Sequence, residues 1–278
     1  MNNLYFSIVI PLYNKEKHIA RTIQSVLDQT WPYFEIVVVN DGSTDKSVEV
    51  VKNFNDERLR IIHQPNSGVS VARNKGIEAA KYNWVAFLDG DDEWKAEFLK
   101  NVVDLINFYP KVNVFATGYE YFNVIEKGVS KPNLQSVPEI GKHGVLENYF
   151  KSVYLGAPVI TSSSSCFNKK ILIDKGGFPD NIKRGEDLDL WFRIALSYPI
   201  VFLNKSLVIY NVGIQDSATK TLLSRNNIYP YHKWKKRQTK SNPYIKKYIK
   251  KRILVAAKNL FLSDNYIDSI ITLLTILK

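Results

Sequence analysis

Two kinds of hydrophobic pattern alternate along the first part of the chain. The segments Phe6–Pro11 and Phe34–Asn40 are nearly continuous apolar runs rich in β-branched residues, which is typical of strands covered on both faces. Between them, apolar residues recur at the spacing of one helix face: Ile19, Ile23, Val26 and Leu27. This strand, helix, strand order predicts an α/β fold with a parallel sheet and right-handed crossovers.

The alternation continues and indicates where a ligand would bind. Leu59–His63 and the run that starts at Trp84 predict two more strands, with helical patterns after Asp45, after Ser70 and from Phe98. Open parallel sheets bind their ligands beyond the carboxyl ends of the strands. The predicted ends are Pro11–Asn14, Asn40–Ser43 and Asp89–Asp92.

The stretch from Trp84 to Trp94 runs from an apolar segment into three aspartates and a glutamate around one glycine. Like charges repel one another, and a divalent cation is the usual reason that they coexist, because Mg²⁺ and Mn²⁺ prefer hard oxygen ligands. The alternative is a solvated turn in which an aspartate caps the next helix. Asp92 is the best candidate for such a cap.

The pattern is looser after about Lys111. A strand-like segment precedes a polar stretch, Glu126–Gly144, that predicts a loop. The serine-rich segment from Ala157 has close apolar flanks, so we interpret it as an active-site strand or loop within the same domain. Glu186 and Asp187 then begin an amphipathic helix, at the end where the helix dipole favours negative charge.

Composition limits the class of protein. The chain has 278 residues, of which 45% are hydrophobic, and one cysteine, Cys166. Such a composition is globular and supplies enough apolar residues for a core. A single cysteine excludes an intramolecular disulfide framework and favours a reducing cytoplasm. We expect no export signal and no membrane-spanning helix, since no apolar run approaches about 20 residues.

Positive charge is concentrated near the end of the chain. Ser217–Ser263 contains 13 Lys and Arg residues and no Asp or Glu, so the net charge of +11 resides entirely in this segment. A predicted helix there has cations on one side and apolar residues largely on the other. The basic side carries Lys246, Lys247, Lys250 and Lys251, and the apolar side carries Ile245, Tyr248, Ile249 and Ile253. Such a basic amphipathic helix is typical of binding to an anionic membrane surface. The alternative is a helix that packs on the preceding domain with its basic face in solvent.

Five short motifs follow one another in order. They are VIPLYNKE from Val9, VVVNDGSTD from Val37, NSGVSVARNKGI from Asn66, FLDGDDEW from Phe87 and GEDLDLWFR from Gly185. No glycine-rich dinucleotide or P-loop fingerprint accompanies them. In order and spacing the set closely resembles glycosyltransferase family 2, over roughly Phe6 to Tyr210. The resemblance implies a GT-A fold, with a mostly parallel nucleotide-binding sheet flanked by helices, and inverting sugar transfer.

The resemblance implies donor-binding roles for the first motifs. Pro11, Tyr13 and Glu16 match the strand and turn that lie against the nucleotide base. Asp41 matches the acidic residue that reads the base edge, usually uracil, and Arg73 matches a basic residue near the ribose or diphosphate. The expected donor is therefore a UDP-sugar.

The resemblance also implies a metal site and a base. Asp89 and Asp91 match the DxD motif, in which the first carboxylate lies near the ribose and the second holds Mn²⁺ or Mg²⁺ on the diphosphate. Asp187 matches the catalytic base, with Glu186 beside it. The chemistry needs both parts, because the leaving diphosphate must be neutralised and the acceptor hydroxyl must lose its proton.

The chain departs from the family pattern at one place. Many members carry Tyr-Arg-x-His after the strand that follows the catalytic helix, and this histidine often contacts the diphosphate or the metal. Here Tyr210–Gly213 reads YNVG. A loop residue such as Lys220 is our candidate for the missing contact.

We therefore expect a metal-dependent inverting glycosyltransferase that acts on a saccharide acceptor, lipid-linked, in polysaccharide or glycan biosynthesis. The expected organisation is a GT-A domain over 1–215, with a nucleotide-sugar-binding half (1–110) and an acceptor and catalytic half (111–215), followed by a basic helical region (216–278). The expected location is cytoplasmic, peripheral on the inner face of the plasma membrane.

Two alternatives stay open from the sequence. The first is a nucleic-acid-binding protein that uses the basic region with its interleaved Tyr and Trp, although nucleic acid is not the expected partner. The second is a sugar nucleotidyltransferase, which also needs carboxylate-held metal. No Gly-rich triphosphate loop follows the first predicted strand, and this disfavours the second alternative.

Overall fold

The computed structural model describes residues 3–180, 182–214, 231, 233–234 and 242–276. Within these ranges the chain forms one sheet of ten strands. The strands are β1 (Phe6–Leu12), β2 (Phe34–Asp41), β3 (Leu59–Gln64), β4 (Trp84–Phe87), β5 (Glu93–Trp94), β6 (Val114–Asn123), β7 (Gly128–Ser130), β8 (His143–Val145), β9 (Ser165–Asn168) and β10 (Val201–Val212). The helices are α1 (Ile19–Leu27), α2 (Ser47–Lys52), α3 (Val69–Ala79), α4 (Phe98–Phe108), α5 (Tyr149–Leu155), α6 (Lys169–Asp174), α7 (Glu186–Ala195), α8 (Pro243–Phe261) and α9 (Tyr266–Leu274).

The sheet has the mostly parallel arrangement predicted from the sequence. Its strand order is β3-β2-β1-β4-β9-β6-β10-β5, with β7 beside β6 and β8 beside β10. β1 pairs in parallel with β2 and β4, β2 with β3, and β6 with β10. β9 is antiparallel to both β4 and β6 and joins the two parallel parts. The serine-rich segment therefore lies inside the sheet, as predicted.

Alternate residues of β1 enter different halves of the core. Phe6, Ile8 and Ile10 pack in one hydrophobic cluster with α1 and α4, whereas Val9 packs in another with α5, α7 and α8. Successive side chains of a strand point to opposite faces. A strand covered on both faces therefore needs apolar residues at almost every position, which explains the continuous apolar run.

Two local predictions were wrong. Helix α4 begins at Phe98, after Glu97, and no side chain caps it; Asp92 is buried before that start, so it is not a helix cap. The interval Glu126–Gly144, predicted as a loop, contains β7 and the start of β8, because these short segments pair with the edges of β6 and β10.

The basic segment near the end of the chain forms helix α8, and the apolar side of this helix faces protein. It packs in the same hydrophobic cluster as α5 and α7. The side that the sequence assigned to a membrane is therefore in the core, which is the alternative left open above. The buried residues of α8 are Ile245, Tyr248, Ile249, Ile253, Ala256, Ala257 and Leu260.

Other residues of the basic region also make contacts within the protein or are buried in it. The ammonium of Lys251 donates to the carbonyls of Val153, Tyr154 and Gly156 at 3.0, 2.8 and 3.2 Å. It thus satisfies carbonyl groups at the C-terminus of α5. Tyr231 and Trp234 are buried, so these two rings are not available to stack on nucleic-acid bases, and the nucleic-acid alternative loses that support.

Helix α9 lies against α8, and the Ser269 hydroxyl donates to the Ala257 carbonyl at 2.9 Å. Its outer side exposes Ile267, Ile270 and Leu274. No helix in the described part of the chain is long and apolar enough to cross a membrane. The predicted domain boundary at 215/216 lies at the edge of a range outside the described residues, and it stays a prediction.

Candidate active site

Arg73 joins two parts of the chain that are far apart in sequence. Its guanidinium, carried by α3, donates to Asp89 at 2.7 Å and to Glu186 at 3.0 Å. The same group lies 5.2 Å from the centre of the Phe178 ring, and 4% of the residue is exposed. Because a buried charge is costly unless it is paired, Arg73 fixes the segment after β4 against the start of α7.

Asp91 has a different cationic partner. The ammonium of Lys15, in the turn between β1 and α1, lies 2.7 Å from its Oδ2 atom. The side chains of Lys15 and Asp91 are 14% and 18% exposed, so this pair lies at the edge of the site rather than in open solvent. Arg73 on Asp89, Lys15 on Asp91 and Arg21 on Glu93 thus form three ion pairs with the acidic cluster. They offset part of the repulsion predicted from the sequence.

Asp92 is buried beneath this edge. It accepts hydrogen bonds from the Ser163 hydroxyl at 2.5 Å and from the Asn211 amide N–H at 3.1 Å. Burial raises the pKa of Asp92 well above its usual value, and the nearby charges of Asp91 and Asp89 raise it further. The interior position thus favours the neutral form of Asp92 more than an exposed position would.

Few described side chains of the site could ligate the predicted metal ion. Within residues 3–180, 182–214 and the described C-terminal positions, no three acidic, His or Cys side chains form a preformed metal site. Mg²⁺ needs only one or two protein carboxylates when substrate phosphates and water supply its other ligands. Asp91 fits this requirement, since its partly exposed carboxylate already holds a cation, the Lys15 ammonium. Asp89 fits less well, because its Oδ1 atom is bonded to Arg73.

Asp41, at the end of β2, holds the loop that leads into α3. Its carboxylate accepts from the backbone N–H groups of Ser67 and Gly68 and from the Gln64 side chain, each at 2.8 Å. The adjacent Gly42 has a positive φ of 72°, and a Cβ there would lie 2.8 Å from the Asn66 nitrogen. Only glycine fits this position. Asp41 therefore lies at the predicted edge of the sheet, where its carboxylate fixes the backbone of the loop before α3.

The residues predicted to lie against the base are at the end of β1. Pro11 belongs to the strand, and Tyr13, 45% exposed, follows it. Glu16 connects two turns, since its carboxylate accepts from the Lys46 N–H at 3.0 Å and its own N–H donates to Asp45 at 3.0 Å. Pro11, Tyr13 and Asp41 thus share the sheet edge, whereas the described contacts of Glu16 are structural.

Glu186 and Asp187 form the first turn of α7, after Gly185 with a positive φ of 86°. Burial raises the pKa of Glu186 to about 7, the neighbouring Asp187 adds to this, and Arg73 opposes it. Burial also raises the pKa of Asp187, again against the charge of Arg73. The pair therefore holds one proton more readily than two exposed carboxylates would, as a general base near neutral pH requires.

Helix α8 brings an arginine that the sequence analysis missed. Arg252 donates to the Tyr231 hydroxyl at 3.2 Å and lies 5.1 Å from that ring's centre. Its charge lowers the pKa of Asp187 against the larger, opposite effect of burial. The sequence feature that could have revealed Arg252 is its position on the amphipathic helix. It is a cation next to Ile253 and four residues after Tyr248, both of which are buried.

The segment that replaces Tyr-Arg-x-His also contacts the acidic cluster. The Asn211 side-chain amide donates to the Asp91 carbonyl at 2.7 Å. Burial raises the pKa of Tyr210, and the charges of Asp92 and Asp89 raise it further. Lys220, proposed as the missing phosphate contact, lies outside the described residues.

A family comparison agrees with this arrangement. Residues 7–174 match the model of glycosyl transferase family 2. The chain belongs to glycosyltransferase family 2. The match includes the segments that carry Asp41, Arg73, Asp89 and Asp91, and it ends before α7.

Two bacterial relatives carry related names. The chain is 31% identical over 228 residues to an uncharacterized glycosyltransferase of Rickettsia conorii, with 81% of this chain and 35% of the relative covered. It is 40% identical over 103 residues to TuaG of Bacillus subtilis, a putative teichuronic acid biosynthesis glycosyltransferase, with 36% and 41% covered. The chain thus spans about a third of the length of the first of these relatives.

Solved structures confirm the predicted GT-A fold. The structure of S. aureus TarS 1–349 in complex with UDP-GlcNAc has a TM-score of 0.68 and 22% identity to this chain. The similarity covers 99% of this chain and 72% of the TarS chain. The shared architecture therefore extends beyond the segment matched by the family model.

Proposed function

We propose that this protein is an inverting glycosyltransferase that moves a sugar from a UDP-sugar to a saccharide hydroxyl in polysaccharide or glycan biosynthesis. The observation that carries the proposal is the Arg73 bridge, in which one buried guanidinium binds Asp89 of the DxD segment and Glu186 beside the proposed base. A direct displacement needs a leaving-group side and a base side in a fixed relation. Arg73 supplies that relation.

The donor's base and ribose would bind at the ends of β1 and β2. Tyr13 offers an exposed ring for the base, Pro11 lies beside it, and Asp41 orders the loop before α3, whose N-terminal amides favour anions. The choice of uridine rests on the family resemblance at Asp41. It is supported by TarS, which has been crystallised with UDP-GlcNAc and with UDP.

The diphosphate would lie over the end of β4. Asp91, with Asp89 beside it, would hold Mn²⁺ or Mg²⁺ together with phosphate oxygens, and the ion would offset negative charge on the leaving group. Arg73 orients Asp89 through their 2.7 Å contact, and its charge would lie near the same phosphates.

Asp187 would take the proton of the acceptor hydroxyl. Its partly buried position and raised pKa favour proton acceptance near neutral pH. Glu186 would stay bound to Arg73, and the charge of Asp187 contributes to the raised pKa of Glu186. Attack from the side opposite the leaving diphosphate gives inversion at the anomeric carbon.

The acceptor side is proposed as a lipid-linked saccharide at an anionic membrane surface, on the inner face of the plasma membrane. The supporting observation is the outer surface of the two adjoining helices: Lys247, Lys250 and Lys258 of α8 are exposed, and so are Ile267 and Ile270 of α9. Cations beside apolar side chains suit an anionic leaflet.

Vesicle sedimentation tests this membrane proposal. The double variant Ile267→Ser/Ile270→Ser should bind anionic vesicles several-fold more weakly than the wild type, with Ile140→Ser as a control at a site 84% exposed elsewhere. Equal recovery of wild-type protein with neutral and anionic vesicles would contradict membrane docking.

Thermal unfolding with a panel of nucleoside diphosphates tests the donor proposal. A ligand at a hundredfold excess over its Kd stabilises the folded state by about 2.7 kcal/mol. We expect a shift with UDP that exceeds those with GDP, ADP and CDP, that grows with Mn²⁺, and that loses its Mn²⁺ dependence in Asp91→Asn. Equal shifts with all four nucleotides would overturn the choice of uridine, and no shift with any would overturn the donor site.

A further inference from the structure

Lys15 occupies the carboxylate that a metal ion would need. Its ammonium lies 2.7 Å from Asp91 Oδ2. Its backbone N–H donates to the Ser47 hydroxyl at 2.7 Å, which fixes the turn after β1. The methylene stem passes close to Gly90, since a Cβ at Gly90 would lie 3.5 Å from Lys15 Cγ. Lys15 is thus held against the DxD segment by backbone as well as by charge.

The turn that carries Asp91 is fixed from the other side as well. Arg21 donates to the Asp91 carbonyl at 3.2 Å and lies 3.3 Å from the Glu93 carboxylate. The Asn211 amide binds the same carbonyl at 2.7 Å. The backbone of Asp91 is therefore anchored by two side chains, while its carboxylate faces Lys15.

We propose that Lys15 competes with the divalent metal ion for Asp91. In the free protein the ammonium neutralises this carboxylate, so a metal ion binds tightly only if it displaces Lys15 from Oδ2. An ammonium and a divalent cation repel each other at one carboxylate. The diphosphate of the donor supplies negative charge for both the metal ion and the Lys15 ammonium. The donor should therefore strengthen metal binding, and its phosphates should give the displaced ammonium a new partner. This inference rests on the proposed function for the identity of the donor.

Metal binding to the free protein tests the competition without any turnover. Mn²⁺ is titrated into wild type and Lys15→Met, and free Mn²⁺ is counted by electron paramagnetic resonance, with and without UDP. Lys17→Met is the matched control, because Lys17 is exposed two residues along the same turn. Lys15→Arg keeps the cation and should behave like the wild type, and thermal unfolding checks that each variant is folded.

Lys15→Met should bind Mn²⁺ about tenfold more tightly than wild type in the absence of UDP, which is the effect of removing one charged hydrogen bond. UDP should strengthen Mn²⁺ binding less in this variant than in the wild type. Unchanged or weaker Mn²⁺ binding by Lys15→Met, or tighter binding by Lys17→Met to the same extent, would overturn the competition.

The two proposals fail in different ways. Wild-type protein that shows no response to UDP contradicts the donor site, whereas the competition is still decided by the titrations without UDP. A wild type that responds to UDP while Lys15→Met matches it in free-protein Mn²⁺ affinity overturns the competition alone.

Discussion

The carboxylates of the candidate site differ in their partners more than in their type. Asp91 faces a lysine, Asp89 shares an arginine with Glu186, and Asp92 is held by neutral donors in the interior. Burial raises the pKa of Asp92, Glu186 and Asp187, and differences in environment let carboxylates of one site do different tasks. Asp187 is next to Glu186 in the chain, but the ion pairs of Arg73 are with Asp89 and Glu186.

Glu186→Gln should change how stability depends on pH. Burial raises the Glu186 pKa to about 7, from about 4.3 in an unfolded chain, so the folded protein holds a proton that the unfolded chain releases. This contribution is complete below about pH 4 and is lost as the pH rises to about 7. Relative to the variant, the wild-type free energy of unfolding should fall by about 3 kcal/mol over this range. Urea unfolding at several pH values measures it, and a difference that is independent of pH contradicts the buried, raised pKa.

Residue-level predictions from the sequence succeeded where a motif fixes the backbone. Asp41 ends β2, Asp89 follows the end of β4 and Asp187 lies in the first turn of α7, as the hydrophobic pattern predicted. Arg73 lies within α3, and the chemical roles of all four residues stay predictions. Asp92 was misassigned because capping depends on where α4 starts, and that start is Phe98. The partner of Asp91 could not be predicted, since Lys15 is 76 positions away and many cations were available.

Helix α8 shares one hydrophobic cluster with α5 and α7. It packs with α5 and α7 through Ile245, Tyr248 and Ile249, and Trp234 connects it to α7 by donating to Asp189 at 2.8 Å. Its periodicity could be predicted, but the same apolar side suits a membrane or a protein core. Only the neighbouring helices decide between them.

Two truncations on α8 test this packing. Ile249 is 2% exposed and Leu254 is 45% exposed. Ile249→Ala should lower the free energy of unfolding by about 2–4 kcal/mol because it opens a cavity, whereas Leu254→Ala should change it by less than about 0.5 kcal/mol. Denaturant unfolding of both variants gives the comparison. Equal, small effects would mean that α8 is not packed on the domain in solution.

At the scale of the whole molecule, charge is distributed unevenly along the chain. Net positive charge resides in Ser217–Ser263, whereas carboxylates of the site lie at the ends of β2 and β4 and at the start of α7. The chain spans about a third of the Rickettsia conorii relative, so most of the length of that relative lies outside the segment that matches this chain. The parallel half of the sheet followed from local pattern, whereas the position of β9 between β4 and β6 depends on long-range pairing.

The stereochemistry of donor cleavage tests inverting sugar transfer most directly. UDP-GlcNAc and related α-linked UDP-sugars are incubated with the protein and Mn²⁺, with water as the acceptor, and the first sugar released is followed by proton NMR before it mutarotates. We predict release of the β-anomer, and a rate lowered about 10²–10⁴-fold in Asp187→Asn while UDP still binds. Release of the α-anomer, or an undiminished rate in Asp187→Asn, would contradict direct displacement assisted by this base.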